Sequence, residues 1–154
     1  MQTMEKITLG NEYLRLNSDI STRNAEALLE LGEGGDLTMT EQVRRATAFY
    51  HHAMLMYVEG GDVHSVSDLG SETIPLFDSP VGDAEVSTRV ALSVNLNIET
   101  AKVLQNLGVG RQSAETSVLD NVINHYYQAV RRSNNGQKLI AESSDGIQRE
   151  LVFL

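Results

Sequence analysis

The sequence predicts a mainly α chain with short β segments, built as two copies of one strand-helix-helix unit, each followed by a β-hairpin. The first observation is an alternating run over residues 90–96, with Val90, Leu92, Val94 and Leu96 on one side. Arg89, Ala91, Ser93 and Asn95 fall on the other, the two-residue period of a half-buried strand. The second is a pair of helical patterns behind it. Ala101, Leu104 and Leu107 recur until Gly108 and Gly110, and Val118, Leu119, Val122, Ile123, Tyr126 and Val130 then form one longer apolar stripe. The third is that the same order occurs 76 residues earlier without a gap. Leu16, Ala25, Leu28, Leu31, Gly32, Tyr50, Ala53, Gly60 and Gly70 match Leu92, Ala101, Leu104, Leu107, Gly108, Tyr126, Ala129, Gly136 and Gly146. Two copies at this period mean two related units, not a solenoid.

Taken in order, residues 1–10 hold one short apolar alternation and read as a strand-like lead-in. Residues 13–20 are the first copy's strand, with Leu14, Leu16 and Ile20 on one face and Arg15, Asn17 and Asp19 on the other. Ser18 stands where the second copy has Val94, so this strand is the weaker. Ser21 or Thr22 caps a helix carrying Ala25, Leu28, Leu29 and Leu31, which Gly32, Gly34 and Gly35 end; Asn97 has the capping role in the second copy. Thr38-Met39-Thr40-Glu41 has the form of a capping box and opens a helix to about Val58 that buries Val43, Ala46, Tyr50, Ala53, Met54 and Tyr57. In the second copy Ser113 is the nearest equivalent cap. Two hairpins are expected, residues 62–66 with 73–77 around Asp68-Leu69-Gly70, and 138–141 with 147–153 around Asp145-Gly146. Pro75 confines its strand to a sheet edge. The division is then 11–78 for the first repeat and its hairpin, 79–87 for a linker and 88–154 for the second. Residues 78–87 reach up to roughly 33 Å, enough to bring the second strand beside the first over a shared core.

Strand, short helix, turn and longer helix in this order resemble the ribbon-helix-helix family. Its members pair two strands into an antiparallel ribbon on a four-helix base, and the ribbon's outward side chains read the DNA major groove. With two copies in one chain, the resemblance implies an intrachain pseudo-dimer with Leu16 and Leu92 on the core side. The DNA-reading residues would be Arg15, Asn17, Ala91, Ser93 and Asn95, with Asp19 beside them. Arginine suits guanine and asparagine adenine, while alanine offers only shape or a thymine methyl contact. Helix starts at Thr38, Thr40, Ser113 and Thr116 would face phosphates. The implied function is a bacterial or phage-encoded DNA-binding transcription regulator, either a monomeric pseudo-dimer or a homodimer. Minimal members lack the hairpins, whose role the resemblance leaves open.

Charge points another way. The formal net charge is -9; residues 1–78 carry 5 Lys or Arg against 13 Asp or Glu, and residues 79–154 carry 7 against 8. DNA affinity rests on neutralised phosphates, so the few cations must gather on one face. The alternative expectation is an acidic protein-protein interaction module, binding a host or partner protein as an antitoxin-like inhibitor or DNA mimic. The chain has no cysteine, which excludes disulfides and thiolate metal sites, and it shows no signal-peptide run or run of about 20 apolar residues. A cytoplasmic protein without membrane contact is expected.

No nucleophile elbow, Walker loop or zinc-ligand spacing occurs, so no enzyme, catalytic residue, metal or cofactor is expected. His51 and His52 point about 100° apart on a helix and cannot chelate together. His125 stands where the first copy has Phe49 and reads as a partly buried ring; His64 stands where the second has Ile140. Arg131-Arg132 complements a helix C-terminus.

Overall fold

The computed structural model describes residues 3–9, 11–33, 38–74, 89–107 and 118–153. Outside them lie Ser113 and Thr116, the linker, Phe77, and the glycines at 34, 35, 108 and 110. Strands β1 (Thr3–Leu9) and β2 (Asn11–Ser21) lead into helices α1 (Thr22–Glu33) and α2 (Met39–Val58), then β3 (Asp62–Ser67) and β4 (Gly70–Thr73). The second copy runs β5 (Arg89–Asn97), α3 (Ile98–Leu107), α4 (Val118–Asn134), β6 (Lys138–Glu142) and β7 (Gln148–Leu151).

The fold is α+β, which corrects the mainly α class and the two-stranded ribbon pseudo-dimer with appended hairpins. The strands join into two antiparallel sheets, one of three strands in the order β1-β2-β5 and one of four in the order β4-β3-β6-β7. Two pairings overturn the expectation. The lead-in is a full strand against β2, from Thr3↔Asn17 to Leu9↔Asn11. The hairpins are not separate additions, because β3 and β6 pair with each other from Asp62↔Glu142 to Val66↔Lys138. Short strands present unpaired backbone groups at both edges, and each hairpin covers one such edge of the other.

The repeats meet by an approximate two-fold rotation that the registers make visible. In the β2–β5 pair Asn17 lies opposite Ser93, its own equivalent 76 residues on, and the flanking pairs Arg15↔Asn95 and Asp19↔Ala91 exchange under the same rotation. In the β3–β6 pair His64 lies opposite its equivalent Ile140. Local features repeat with the same offset. The Ser21 hydroxyl accepts from the Asn24 N–H at 3.1 Å, and the Asn97 side-chain oxygen Oδ1 accepts from the Thr100 N–H at 2.8 Å, so α1 and α3 are capped identically in position. Gly60 and Gly136 both have positive φ, 90° and 84°, just past the long helices.

Helices lie between the sheets. α1 and α3 pack on β2 and β5, α2 packs on α4, and both long helices reach β3 and β6. One apolar cluster draws on both copies, including Leu16, Ile20, Leu28, Val43 and Tyr50 from the first and Leu92, Leu96, Leu104, Leu119 and Ile123 from the second. Burial pushes the Tyr50 phenol up to about 12. Ser18, the polar interruption of the first strand, is buried beside this core. His125 is also fully buried, more than the half-buried ring expected, with its ring centroid 5.2 Å from that of Phe49 and 5.5 Å from that of Tyr50. The first hairpin's return strand is Gly70–Thr73, three residues earlier than expected; Ile74 then donates its N–H to the Val63 carbonyl at 3.0 Å.

Gly61 enters β3 where a Cβ would sit 2.1 Å from the Glu142 carbonyl oxygen and 3.0 Å from the Ser143 Cα. Both are backbone atoms and cannot swing aside. Gly61→Ala is expected to cost about 1–3 kcal/mol by forcing β3 from β6, read as a lower midpoint in urea unfolding; an unchanged midpoint would contradict this packing.

Candidate nucleic-acid interface

The outward face of the β2–β5 pair is the surface that strand alternation leaves in solvent. Leu16, Ile20, Leu92, Val94 and Leu96 are drawn into the core, which obliges the intervening residues to face away. Arg15, Asp19, Ala91 and Ser93 are exposed, and Asn17 and Asn95 are half-buried. Arg15 donates from Nε to the Asn95 side-chain oxygen Oδ1 at 3.3 Å, and the Ser93 hydroxyl donates to Asn17 Oδ1 at 2.9 Å. These bonds tie the two strands across the approximate axis. Neither of these two bonds uses a terminal nitrogen of the guanidinium or an asparagine NH2.

The structure brings Arg15, Asn17, Ala91, Ser93 and Asn95 together on one face, within nine residues of each strand. Arg15 is the cation of that group and Asp19 its carboxylate, and Glu5 of β1 lies opposite Arg15 in register. Arg89, one step beyond Ala91 along β5, is turned to another task. It donates to the Asp120 carboxylate at 2.8 Å and to the Asp19 carbonyl.

The helix starts fare differently. Thr38 caps α2, its hydroxyl accepting from the Glu41 N–H at 3.1 Å, and Thr40 is half-buried in the first turn. Glu41 is held by Arg44 and by Arg45 at 3.1 Å. The Arg44 hydrogen bond, helped by Arg45, holds the Glu41 carboxyl down at about 2, against a smaller opposing effect of burial. A carboxyl lowered in the folded state adds stability above its unfolded value near 4.5 and loses it as pH falls toward 2. Because the arginines are partly solvent-screened, the contribution is expected to be about 1 kcal/mol or less. Urea unfolding of the wild type and of Glu41→Gln at pH 7 and pH 2 checks this. The stability gap between them should close at the lower pH, and a constant gap would contradict it.

Three features were not assigned functional or long-range roles from sequence. Asp120, in the first turn of α4, is buried and accepts from the Ser21 N–H at 2.9 Å and from the Asn24 side-chain amide at 2.8 Å as well as from Arg89. Arg132, expected only to complement a helix end, reaches the second sheet, donating to the Ser65 hydroxyl at 2.9 Å and to Glu72 at 3.4 Å. A groove of about 460 Å³ is lined by Phe49, Tyr126, Leu151 and Phe153 together with Arg44 and Arg45. Its aromatic residues were legible as apolar positions, but not as neighbours.

His64 is buried, with Nδ1 2.8 Å from an Asp62 carboxylate oxygen, while His51 and His52 are exposed on α2. Among the described residues no three His, Asp or Glu side chains form a metal-holding group, and no helix is long and apolar enough to cross a membrane. Comparisons with protein-family models, with curated proteins and with solved structures find no match to this chain.

Proposed function

We propose that the outward face of β2 and β5 binds double-stranded DNA and that the chain acts as a sequence-reading transcription regulator. The observation that carries this reading is the paired antiparallel strands that keep Arg15, Asn17, Ser93 and Asn95 together on the solvent side. Arginine and asparagine are the side chains that match guanine and adenine edges in the major groove, and here they stand on two neighbouring strands of a three-stranded sheet. The phosphate contribution is small, since the chain is acidic and Arg15 is the one cation of the group, with Glu5 opposite it in register. Binding is therefore expected at low ionic strength and to fall as salt rises.

Fluorescence anisotropy with a labelled duplex pool at low salt tests it. Arg15→Ala should weaken binding to a selected duplex by about 1–3 kcal/mol, roughly 5- to 150-fold, and Asn95→Ala should have a similar effect. Binding indifferent to both changes would remove this face from the function; no binding at low salt would remove the DNA reading itself.

A second reading is supported by the groove at Phe49, Tyr126 and Phe153. Its lining combines apolar and aromatic side chains with two arginines on an otherwise acidic chain, a composition that suits protein docking. On this reading the protein inhibits or sequesters a host or partner protein. Loss of DNA binding together with a partner captured in a Phe49-dependent manner would favour it.

A further inference from the structure

The backbone of the reading face is close to two-fold symmetric, while its side chains are not. Residues 76 apart are equivalent under the axis through Asn17 and Ser93. Across it Arg15 is matched by Ala91, Asn17 by Ser93, and Asp19 by Asn95. Each exchange alters the donor and acceptor pattern. Arginine brings donors only and alanine none; aspartate only accepts, while asparagine donates and accepts. Those differences correspond to different base edges, guanine for Arg15, cytosine for Asp19 and adenine for Asn95. The sheet has the same imbalance, because β1 borders β2 alongside residues 11–17 while β5 forms the opposite edge.

A homodimer with identical strands would present the same residues to both halves of its site and would therefore select a palindrome. One chain that supplies both strands is under no such constraint. We infer that the β2–β5 face reads a non-palindromic duplex and sits on it in one orientation, with Arg15 over one half-site and Ala91 over the other. The inference rests on the DNA reading above and names the class of site that reading leaves open. Phosphate contacts are the same in either direction along a duplex, so the orientation is decided by the base contacts alone. With Arg15 and Asn95 both misplaced in the reversed complex, the preferred orientation is expected to win by roughly ten- to a hundredfold.

The test is selection of duplexes from a randomised pool by the full chain at low salt, followed by directional cleavage. The chain has no cysteine, so Glu99→Cys, an exposed position at the start of α3, carries a hydroxyl-radical cleavage reagent at one defined place. The expected result is a consensus that differs from its own reverse complement and cuts confined to one flank. The triple change Ala91→Arg, Ser93→Asn, Asn95→Asp, which gives both strands the same outward residues, should move the consensus toward a palindrome. A palindromic consensus for the wild type, with equal cuts on both flanks, would overturn the inference and leave DNA binding standing. Enrichment of no duplex at all would overturn the DNA reading and this inference with it.

Discussion

Asp120→Ala is expected to lower the unfolding free energy by about 3–5 kcal/mol, the range for breaking a buried charge pair by removing one partner. Its carboxylate joins three separate parts of the chain. It accepts from the Ser21 N–H at the start of α1, from the Asn24 side chain one turn later, and from Arg89 at the start of β5. The substitution leaves the Arg89 guanidinium and those N–H groups to find water in a site where Asp120 is only 7% exposed. For a chain of this size each kcal/mol corresponds to roughly 2–4 °C, so the melting temperature should fall by about 6–20 °C. Differential scanning calorimetry gives the value. Asp120→Asn keeps an acceptor for the Ser21 N–H and should lose less; equal losses from the two changes would show that the acceptor contributes nothing once the charge is gone.

Leu16→Ala is expected to cost about 2–5 kcal/mol as a buried leucine truncated in a packed core. More informative is the form of the transition. Leu16 lies opposite Val94 in register, and its cluster includes Leu104, Leu119 and Ile123 of the second copy. A cavity there removes contacts from both repeats, so denaturant curves should shift as one transition when followed by probes placed in either half. Two separated transitions, with the second repeat unmoved, would mean that each half folds on its own core.

Much of the local structure was legible in the residues. The alternation of Leu14, Leu16, Ile20 and of Leu92, Val94, Leu96 determined which sides of β2 and β5 are buried, because a two-residue period admits one assignment, although Val90 at the strand's start is exposed. Ser21, Asn97 and Thr38 marked three helix starts through the need of unpaired N–H groups for an oxygen. The offset of 76 determined that the two halves share one plan, and it placed Arg15, Asn17, Ala91, Ser93 and Asn95 on the solvent side of their strands.

Only the tertiary structure decided which edges those strands would use. Backbone groups carry no sequence label, so nothing in residues 3–9 says that they pair with β2, and nothing in either hairpin says that β3 and β6 join. Those pairings turned an expected α class into α+β. The Asp120 cluster had no signal for the same reason, its partners Ser21, Asn24 and Arg89 lying 99, 96 and 31 residues away. What the sequence by itself determined were the properties that depend on near neighbours: strand faces, helix starts and the repeat. Which edge meets which, and which buried charge meets which donor, depend on desolvation and packing among distant segments, and these exist only once the chain has closed on itself.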